Sequence, residues 1–312
     1  MRVFVAGASG AIGRPLVRQL VAAGHEVTGT TRSEARAGEI RDAGANPVVC
    51  DVFDADALAR AVEAARPEVV VNELTSLPRD YNPRQLDERF YGPTNRVRTE
   101  GGGNLLNAAR PAGARRFVTQ SIAFLYAPEG EMVKDETGRP FTEAPGPFGS
   151  GVEAMRAHEQ AVLDAEGLEG LVLRYGWLYG PGTYYAADGS ISELVRKRRF
   201  PIVRGSDGLF SFLHVEDAAG VTVAACERGS GGIYNVVDDE PATIAEWLPA
   251  FAEALGAKPP WRVPGWVGRL FGGSAARMTV GLRGASNAKA KRELGWQPTY
   301  ASWRTGFSKA LG

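Results

Sequence analysis

Arg2-Val3-Phe4-Val5-Ala6-Gly7-Ala8-Ser9-Gly10-Ala11-Ile12-Gly13-Arg14-Pro15-Leu16-Val17-Arg18-Gln19-Leu20-Val21, followed by Glu26-Val27-Thr28-Gly29-Thr30-Thr31-Arg32-Ser33, decides how this chain folds. Arg2 to Ala6 is an apolar run of strand length. From Pro15 the apolar residues recur with helical spacing as far as a stop at Gly24, and Glu26 to Thr31 is strand-like again. Glycines spaced GxxGxxG at a strand-to-helix junction have mechanical uses: a tight turn, a close approach of backbone to a pyrophosphate, and close packing of helix on strand. The helix N-terminus then offers unpaired N–H groups and a partial positive charge to an anion. Gly7, Ser9, Gly10, Ala11, Ile12 and Gly13 are therefore the predicted phosphate cradle. An ordinary Gly/Ser turn is the bland alternative, and the strand, helix and second strand around this one argue against it.

The end of the second strand bears on which dinucleotide fits. A free ribose 2′-hydroxyl calls for Asp or Glu at that place, a 2′-phosphate for Arg. The chain reads Thr30-Thr31-Arg32-Ser33 with no carboxylate before Glu34, so Arg32 and Ser33 are expected to favour NADP(H) over NAD(H). The competing reading of Arg32 is a solvated arginine near a helix start.

The chain has 312 residues, 44% of them hydrophobic and 23% charged, with 36 Lys+Arg against 36 Asp+Glu. That length allows one large core or a large core plus a smaller lobe. Balanced charge gives no field that would recruit nucleic acid or an anionic membrane. The basic run Arg196-Lys197-Arg198-Arg199 reads as cations closing a helix. Cys50 and Cys226 stand apart in no metal or redox spacing, which suits a reducing, cytoplasmic setting. No apolar stretch approaches the roughly 20 residues of a membrane span, and no metal site is expected. The expected partner is a small molecule, and a homodimer is left open.

Strands and helices alternate to about residue 175: helix 33–43, strand 47–50, helix 54–65, strand 68–72, a long helix 83–110, strand 116–119, helix 153–166 and strand 171–174. Short apolar strands alternating with helices predict an α/β fold, a doubly wound parallel sheet covered on both faces. The predicted division is a dinucleotide-binding domain over 1–175 with elements returning at about 205–237. Residues 176–204 and 238–312 would form a smaller C-terminal substrate lobe, packed by Trp296 and Trp303. Residues 127–151, with Pro128, Pro140, Pro145 and Pro147, read as an irregular lid or binding loop. Ligands of such sheets sit beyond the carboxyl ends of the strands. This brings Asp51, Val52, Glu73, Leu74, Thr75, Ser121 and Tyr175 to one rim with the glycine turn.

Taken together, the glycine turn, Asp51-Val52, Arg174-Tyr175-Gly176-Trp177-Leu178-Tyr179-Gly180-Pro181-Gly182, His214-Val215-Glu216-Asp217-Ala218, Tyr234-Asn235-Val236 and Glu293-Leu294-Gly295-Trp296-Gln297-Pro298 resemble the extended short-chain dehydrogenase/reductase family. This is the NAD(P)-dependent epimerase/dehydratase group, and the likeness runs nearly end to end. It implies a Rossmann fold, a bound dinucleotide and a substrate lobe. It also implies that Asp51 and Val52 flank the adenine, that Glu73, Leu74 and Thr75 run beneath the nucleotide, and that Tyr175 lies near the nicotinamide. The family's catalytic Ser or Thr and its Tyr-x-x-x-Lys pair, whose Lys lowers the Tyr pKa for acid–base work, do not carry over. The hydroxyl position falls on Ile122, the Tyr on Gly151 and the Lys on Met155, and no Tyr-x-x-x-Lys occurs in the chain.

A replacement proton donor has to come from the same rim. Ser121, Tyr126, Tyr179 and Glu73 are the candidate catalytic residues, and Trp177, Tyr184 and Tyr185 the candidate substrate contacts. Glu73, a carboxyl at a strand end beside a nucleotide, could have a raised pKa or be tied to Arg96 or Arg98. His158 is expected on a partly solvated helix face, and His214 to order a turn. The expected activity is atypical NADP(H)-dependent reduction of a carbonyl or enone, or epimerase/dehydratase-type chemistry, on a small oxygenated metabolite. A redox-silent NADP-binding sensor or scaffold, and a non-redox isomerase or cyclase, are the alternatives.

Overall fold

The computed structural model describes residues 1–82, 86–142, 144, 146–266 and 280–311. Its centre is a sheet of seven parallel strands in the order β12-β7-β5-β4-β1-β2-β3. These are β1 Arg2–Ala6, β2 Glu26–Thr31, β3 Asn46–Val49, β4 Val69–Asn72, β5 Arg116–Ile122, β7 Glu169–Tyr175 and β12 Gly232–Val236. Helices cover both faces, so the fold is the doubly wound α/β arrangement that the alternating pattern predicts. The expected strand 116–119 runs on to Ile122, and the strand reaches the rim with its last three residues.

Side chains alternate across a strand, so each strand feeds two cores. Val3 and Val5 of β1, with Leu171, Leu173 and Tyr175 of β7, join the core beneath α1 (Gly13–Ala22) and α8 (Val215–Glu227). Phe4 and Ala6, with Phe117 and Val172, join the opposite core beneath α3 (Ala55–Ala65), α5 (Gly102–Ala109) and α6 (Phe148–Leu163). The same alternation sends Ser121 and Arg174 toward α6 and Tyr175 toward α8. Local signals fix the helix ends. Asp54 caps α3 by accepting from Ala57 N–H at 2.9 Å, and Thr243 and Glu246 form a capping box on α9 (Ile244–Ala254).

Several boundaries differ from the sequence reading. The long helix is α4 (Glu88–Arg96), a wide π turn over Val97–Gly101, and then α5, with residues 83–85 outside the described set. Helix α6 begins at Phe148 within the stretch read as irregular, and Pro145 of that stretch is not among the described residues. The stretch also contains a short strand, β6 (Val133–Lys134), paired with β15 (Gly284–Ala285). Arg196 ends α7 (Ser190–Arg196), while Arg198 turns back over the Trp261 ring at 3.6 Å.

A third core is aromatic. Tyr185, Phe210, Phe212, Trp247, Phe251, Trp303 and Phe307 pack between α9 and α11 (Trp303–Leu311). Trp303 belongs here as expected. Trp296 does not: it packs with the α1–α8 core against the main sheet. Two short parallel strands, β8 (Trp177–Tyr179) and β11 (Phe212–His214), link the sheet to this core. Trp247 is fully buried at its middle. Truncation to alanine is expected to lower unfolding free energy by about 3–5 kcal/mol, read as a fall in the urea midpoint.

Candidate active site

A cavity of about 390 Å³ opens at the carboxyl ends of β1, β2 and β4, lined among others by Gly7, Ser9, Gly10, Arg32, Ser33 and Arg36. Gly7 has φ +89°, and a Cβ there would lie 2.6 Å from the Glu73 carbonyl oxygen. A Cβ on Gly13 would come within 2.1 Å of the Gly7 carbonyl oxygen, so no other residue lets α1 start this close to β1. Ile12 at the cap of α1 provides no side-chain hydrogen bond, Arg14 and Leu16 N–H already donate to the Gly10 and Ile12 carbonyls, and Pro15 has no N–H, so the N–H groups of Ala11, Ile12 and Gly13 are the ones left to an anion. Ser9 donates to Thr31 Oγ1 at 3.1 Å and fixes the turn against β2.

At the β2 end the Arg32 and Arg36 guanidinium groups are exposed and form no ion pair or hydrogen bond among the described residues. Arg36 was not singled out from sequence. Its position four residues after Arg32, one turn into α2 (Glu34–Asp42), is the signal that would have found it. Phe53 and Val97 also line the cavity beside Val52. Asp51 turns its carboxylate back on the chain, accepting from Phe53 N–H at 3.1 Å. Leu74 and Thr75 line the β4 side, where the Leu74 carbonyl accepts from Gln120 Nε2 at 2.8 Å.

Glu73 lines the same cavity and is only 6% exposed. Neither Arg96 nor Arg98 pairs with it. Arg96 binds Glu100 and lies over the Phe53 ring, and Arg98 forms no ion pair among the described residues. Instead Glu73 Oε1 lies 2.8 Å from Tyr175 Oη, which lies 2.6 Å from Thr222 Oγ1 on α8. Its other oxygen, Oε2, is buried without a partner. Burial raises the Glu73 pKa to about 8, and the Tyr175 contact opposes the rise.

The other catalytic candidates lie away from this cavity's lining. Ser121 donates to Glu159 on α6, and Glu159 is held by Arg174 through two bonds of 2.9 and 2.6 Å. Arg174 also donates to Tyr126 Oη at 3.0 Å, and Tyr126 donates to Asn235 at the end of β12 at 2.6 Å. Both ions are almost fully buried, and this network spans β5, β7, β12 and α6. Tyr179 sits in the aromatic core against His214 and Phe307, its hydroxyl buried without a partner. Tyr185 is enclosed by Phe212, Trp247 and Phe251. Trp177 stacks on Phe124 at 4.1 Å, and Tyr184 lies against Tyr81 at 5.6 Å. His158 is not on a solvated face. It is buried between Thr119 and Asn72, and burial lowers its pKa to about 4. His214 accepts from Glu216 N–H at 3.2 Å and caps α8, as its turn-ordering role requires.

The space that a Gly151 side chain would enter is occupied. A Cβ there would meet Tyr91 Cδ1 at 3.2 Å and Asn95 Oδ1 at 3.9 Å, both from α4. Met155, one turn on, is buried.

The family profile described as NAD dependent epimerase/dehydratase matches residues 3–236. The 3-diazoavenalumate denitrifying reductase of a Streptomyces species is 47% identical over 313 residues, covering 99% of this chain and 100% of its own. The Thermus thermophilus UDP-glucose 4-epimerase, solved with NAD, superposes with a TM-score of 0.74 at 25% identity and covers 100% of this chain and 98% of its own. A human epimerase family protein solved with NADPH has a TM-score of 0.74 at 24% identity, covering 100% and 99%.

Removing one partner of a buried ion pair leaves the other charge uncompensated, so Arg174→Met is expected to cost about 3–5 kcal/mol in a denaturant titration. Tyr126→Phe, which removes one neutral donor, is expected to cost about 1 kcal/mol.

Proposed function

This chain belongs to the NAD-dependent epimerase/dehydratase family, and from that premise we propose that it is an NADP(H)-dependent reductase of small aromatic substrates bearing a diazo group. The dinucleotide reading is supported by the glycine turn, the open α1 N-terminus and the two unpaired guanidinium groups at the β2 end. Gly7, Ser9, Gly10, Ala11, Ile12 and Gly13 would hold the diphosphate, Arg32, Ser33 and Arg36 the 2′-phosphate, and Asp51, Val52, Phe53 and Val97 the adenosine. Leu74, Thr75 and Tyr175 would border the nicotinamide half.

The observation that carries the reaction class is the filled gap at Gly151. Tyr91 and Asn95 occupy the space, Met155 follows, and Ser121 and Tyr126 are bound into the Arg174–Glu159 network. Among the described residues, none at the rim is arranged as a tyrosine acid activated by a lysine. The nicotinamide, when bound, supplies a hydride. A carbonyl receiving hydride needs a proton from an acid, because negative charge develops on oxygen. An aryl diazonium does not, because it carries its own positive charge. Hydride at its terminal nitrogen gives a neutral aryl diazene, which loses N2 as its N–H hydrogen passes to the ring carbon. The protein's part is then to bind, orient and exclude water. Phe124 and Trp177 provide a stacked aromatic pair beyond β5 and β7 for that purpose. The relative that is 47% identical is named a 3-diazoavenalumate denitrifying reductase, a name that supports a diazo substrate.

The decisive experiment mixes the purified chain with an aryl diazonium and NADPH deuterated at the transferable position. Consumption of NADPH above the protein-free rate, N2 release and deuterium at the ring carbon are expected. Binding of NADPH without turnover would overturn the reductase reading in favour of a redox-silent binding protein. Replacing both Arg32 and Arg36 by Ala should weaken NADPH binding by about 10- to 100-fold, the loss of charge-assisted phosphate contacts. NADH binding should change far less, as calorimetry would show.

A further inference from the structure

Glu73, Tyr175, Thr222 and the Ala218 carbonyl form a row of oxygens running from the cavity into the α8 core. Glu73 Oε1 and Tyr175 Oη are 2.8 Å apart, Tyr175 Oη and Thr222 Oγ1 2.6 Å, and Thr222 donates to Ala218 O at 2.7 Å. Each contact is of hydrogen-bond length and needs one proton. The row ends on a backbone carbonyl, which can only accept, so Thr222 gives its proton there. Tyr175 has one proton for two contacts. The third can come only from Glu73. With a proton on Oε1 the row runs Glu73 to Tyr175 to Thr222 to Ala218, and every contact is filled.

Glu73, a residue of the cavity lining, then keeps Oε2 buried and without a partner. Sheet order gives the direction. Arg32 at the end of β2 and Glu73 at the end of β4 lie on opposite sides of Gly7 at the end of β1. A dinucleotide with its diphosphate at Gly7 and its adenosine toward Arg32 places its nicotinamide half toward Glu73. Among the described residues no cation is paired with a negative charge there. Glu73 forms no ion pair among the described residues. The groups facing it are Tyr175 from β7, Thr222 from α8 and the Cys226 thiol, also from α8, which burial pushes up to about 12. The cationic ring of the oxidised cofactor is then the one positive charge that would reach it.

We propose that Glu73 is a proton-binding group coupled to the charge of the nicotinamide, protonated beside the reduced cofactor and ionised beside the oxidised one. The site thereby matches its charge to the redox state: neutral acid with NADPH, carboxylate with NADP+. On ionisation Tyr175 turns its proton to Glu73, and the proton from Glu73 leaves through the cavity, because Ala218 closes the other end. This rests on the dinucleotide reading above. It adds an affinity for the oxidised cofactor that depends on pH, with no reaction needed to observe it.

The sign follows from the raised pKa. Glu73 is mostly protonated below pH 8 in the free protein, so NADP+ has to displace a proton at pH 7 and none at pH 9. Isothermal titration of the full chain with NADP+ and with NADPH between pH 7 and 9 should show NADP+ affinity rising by about tenfold and NADPH affinity flat. At pH 7, titration in two buffers of different ionisation enthalpy should show up to about one proton released per NADP+ bound and none per NADPH. Glu73→Gln should remove the pH dependence for NADP+. Should that variant not fold, the wild-type proton release decides alone. Equal pH dependence for both cofactors, or dependence that persists in Glu73→Gln, would overturn the coupling while leaving dinucleotide binding intact. Failure of both cofactors to bind would overturn the coupling together with the dinucleotide reading.

Discussion

The buried pair of Arg174 and Glu159 is the constraint on which the rim of this protein depends. Two ions that are 3% and 6% exposed are tolerable only if each is paired and its remaining donors and acceptors are met. Glu159 reaches the sheet from α6, and Arg174 meets it from β7. Ser121 of β5, Tyr126 from the following segment and, through Tyr126, Asn235 of β12 complete the set. Three strand ends and one helix are locked together just below the site. The Ser121 hydroxyl is bonded to Glu159 and the Tyr126 hydroxyl to Arg174 and Asn235 within this network.

A second consequence appears across α6. With Glu159 fixed inward, Gly151 and Met155 fall two turns and one turn earlier on the same helix, where α4 packs. The glycine admits the Tyr91 ring, and the π turn at Val97–Gly101 gives α4 and α5 the extra residue that a straight helix would not fit. Arg98, within that turn, has its pKa lowered to about 10 by burial, with Tyr91 opposing the shift. At the interface between α4 and α6, Tyr91 and Asn95 pack against Gly151.

On the other face of the sheet the polar groups are arranged differently. Glu73, Tyr175 and Thr222 form a single file with too few hydroxyl protons for its contacts, and the carboxyl makes up the difference. The two faces thus hold their carboxyl groups differently. Beneath α6 Glu159 is paired with Arg174. Beneath α8 burial raises the pKa of Glu73, which forms no ion pair among the described residues.

The short apolar strand runs alternating with helical patterns and the glycine turn at Gly7–Gly13 were legible in the sequence, because they rest on backbone geometry and on burial of one element at a time. They determined the doubly wound sheet, the family resemblance and the cradle at the β1 end. That no Tyr-x-x-x-Lys occurs in the chain was legible in the sequence alone. The uses of Ser121, Tyr126, Tyr179 and Tyr185 were not. Each is a hydroxyl near a strand or turn end, and whether it faces a cleft, an arginine or an aromatic core depends on partners distant in sequence, such as Glu159 for Ser121 and Asn235 for Tyr126. The pairing of Glu73 with Tyr175 instead of an arginine was decided the same way: β4 and β7 flank β5, and only the folded sheet brings residues 102 positions apart to 2.8 Å. Local propensity sets which atoms reach the rim, and long-range packing sets what each of them is free to do there.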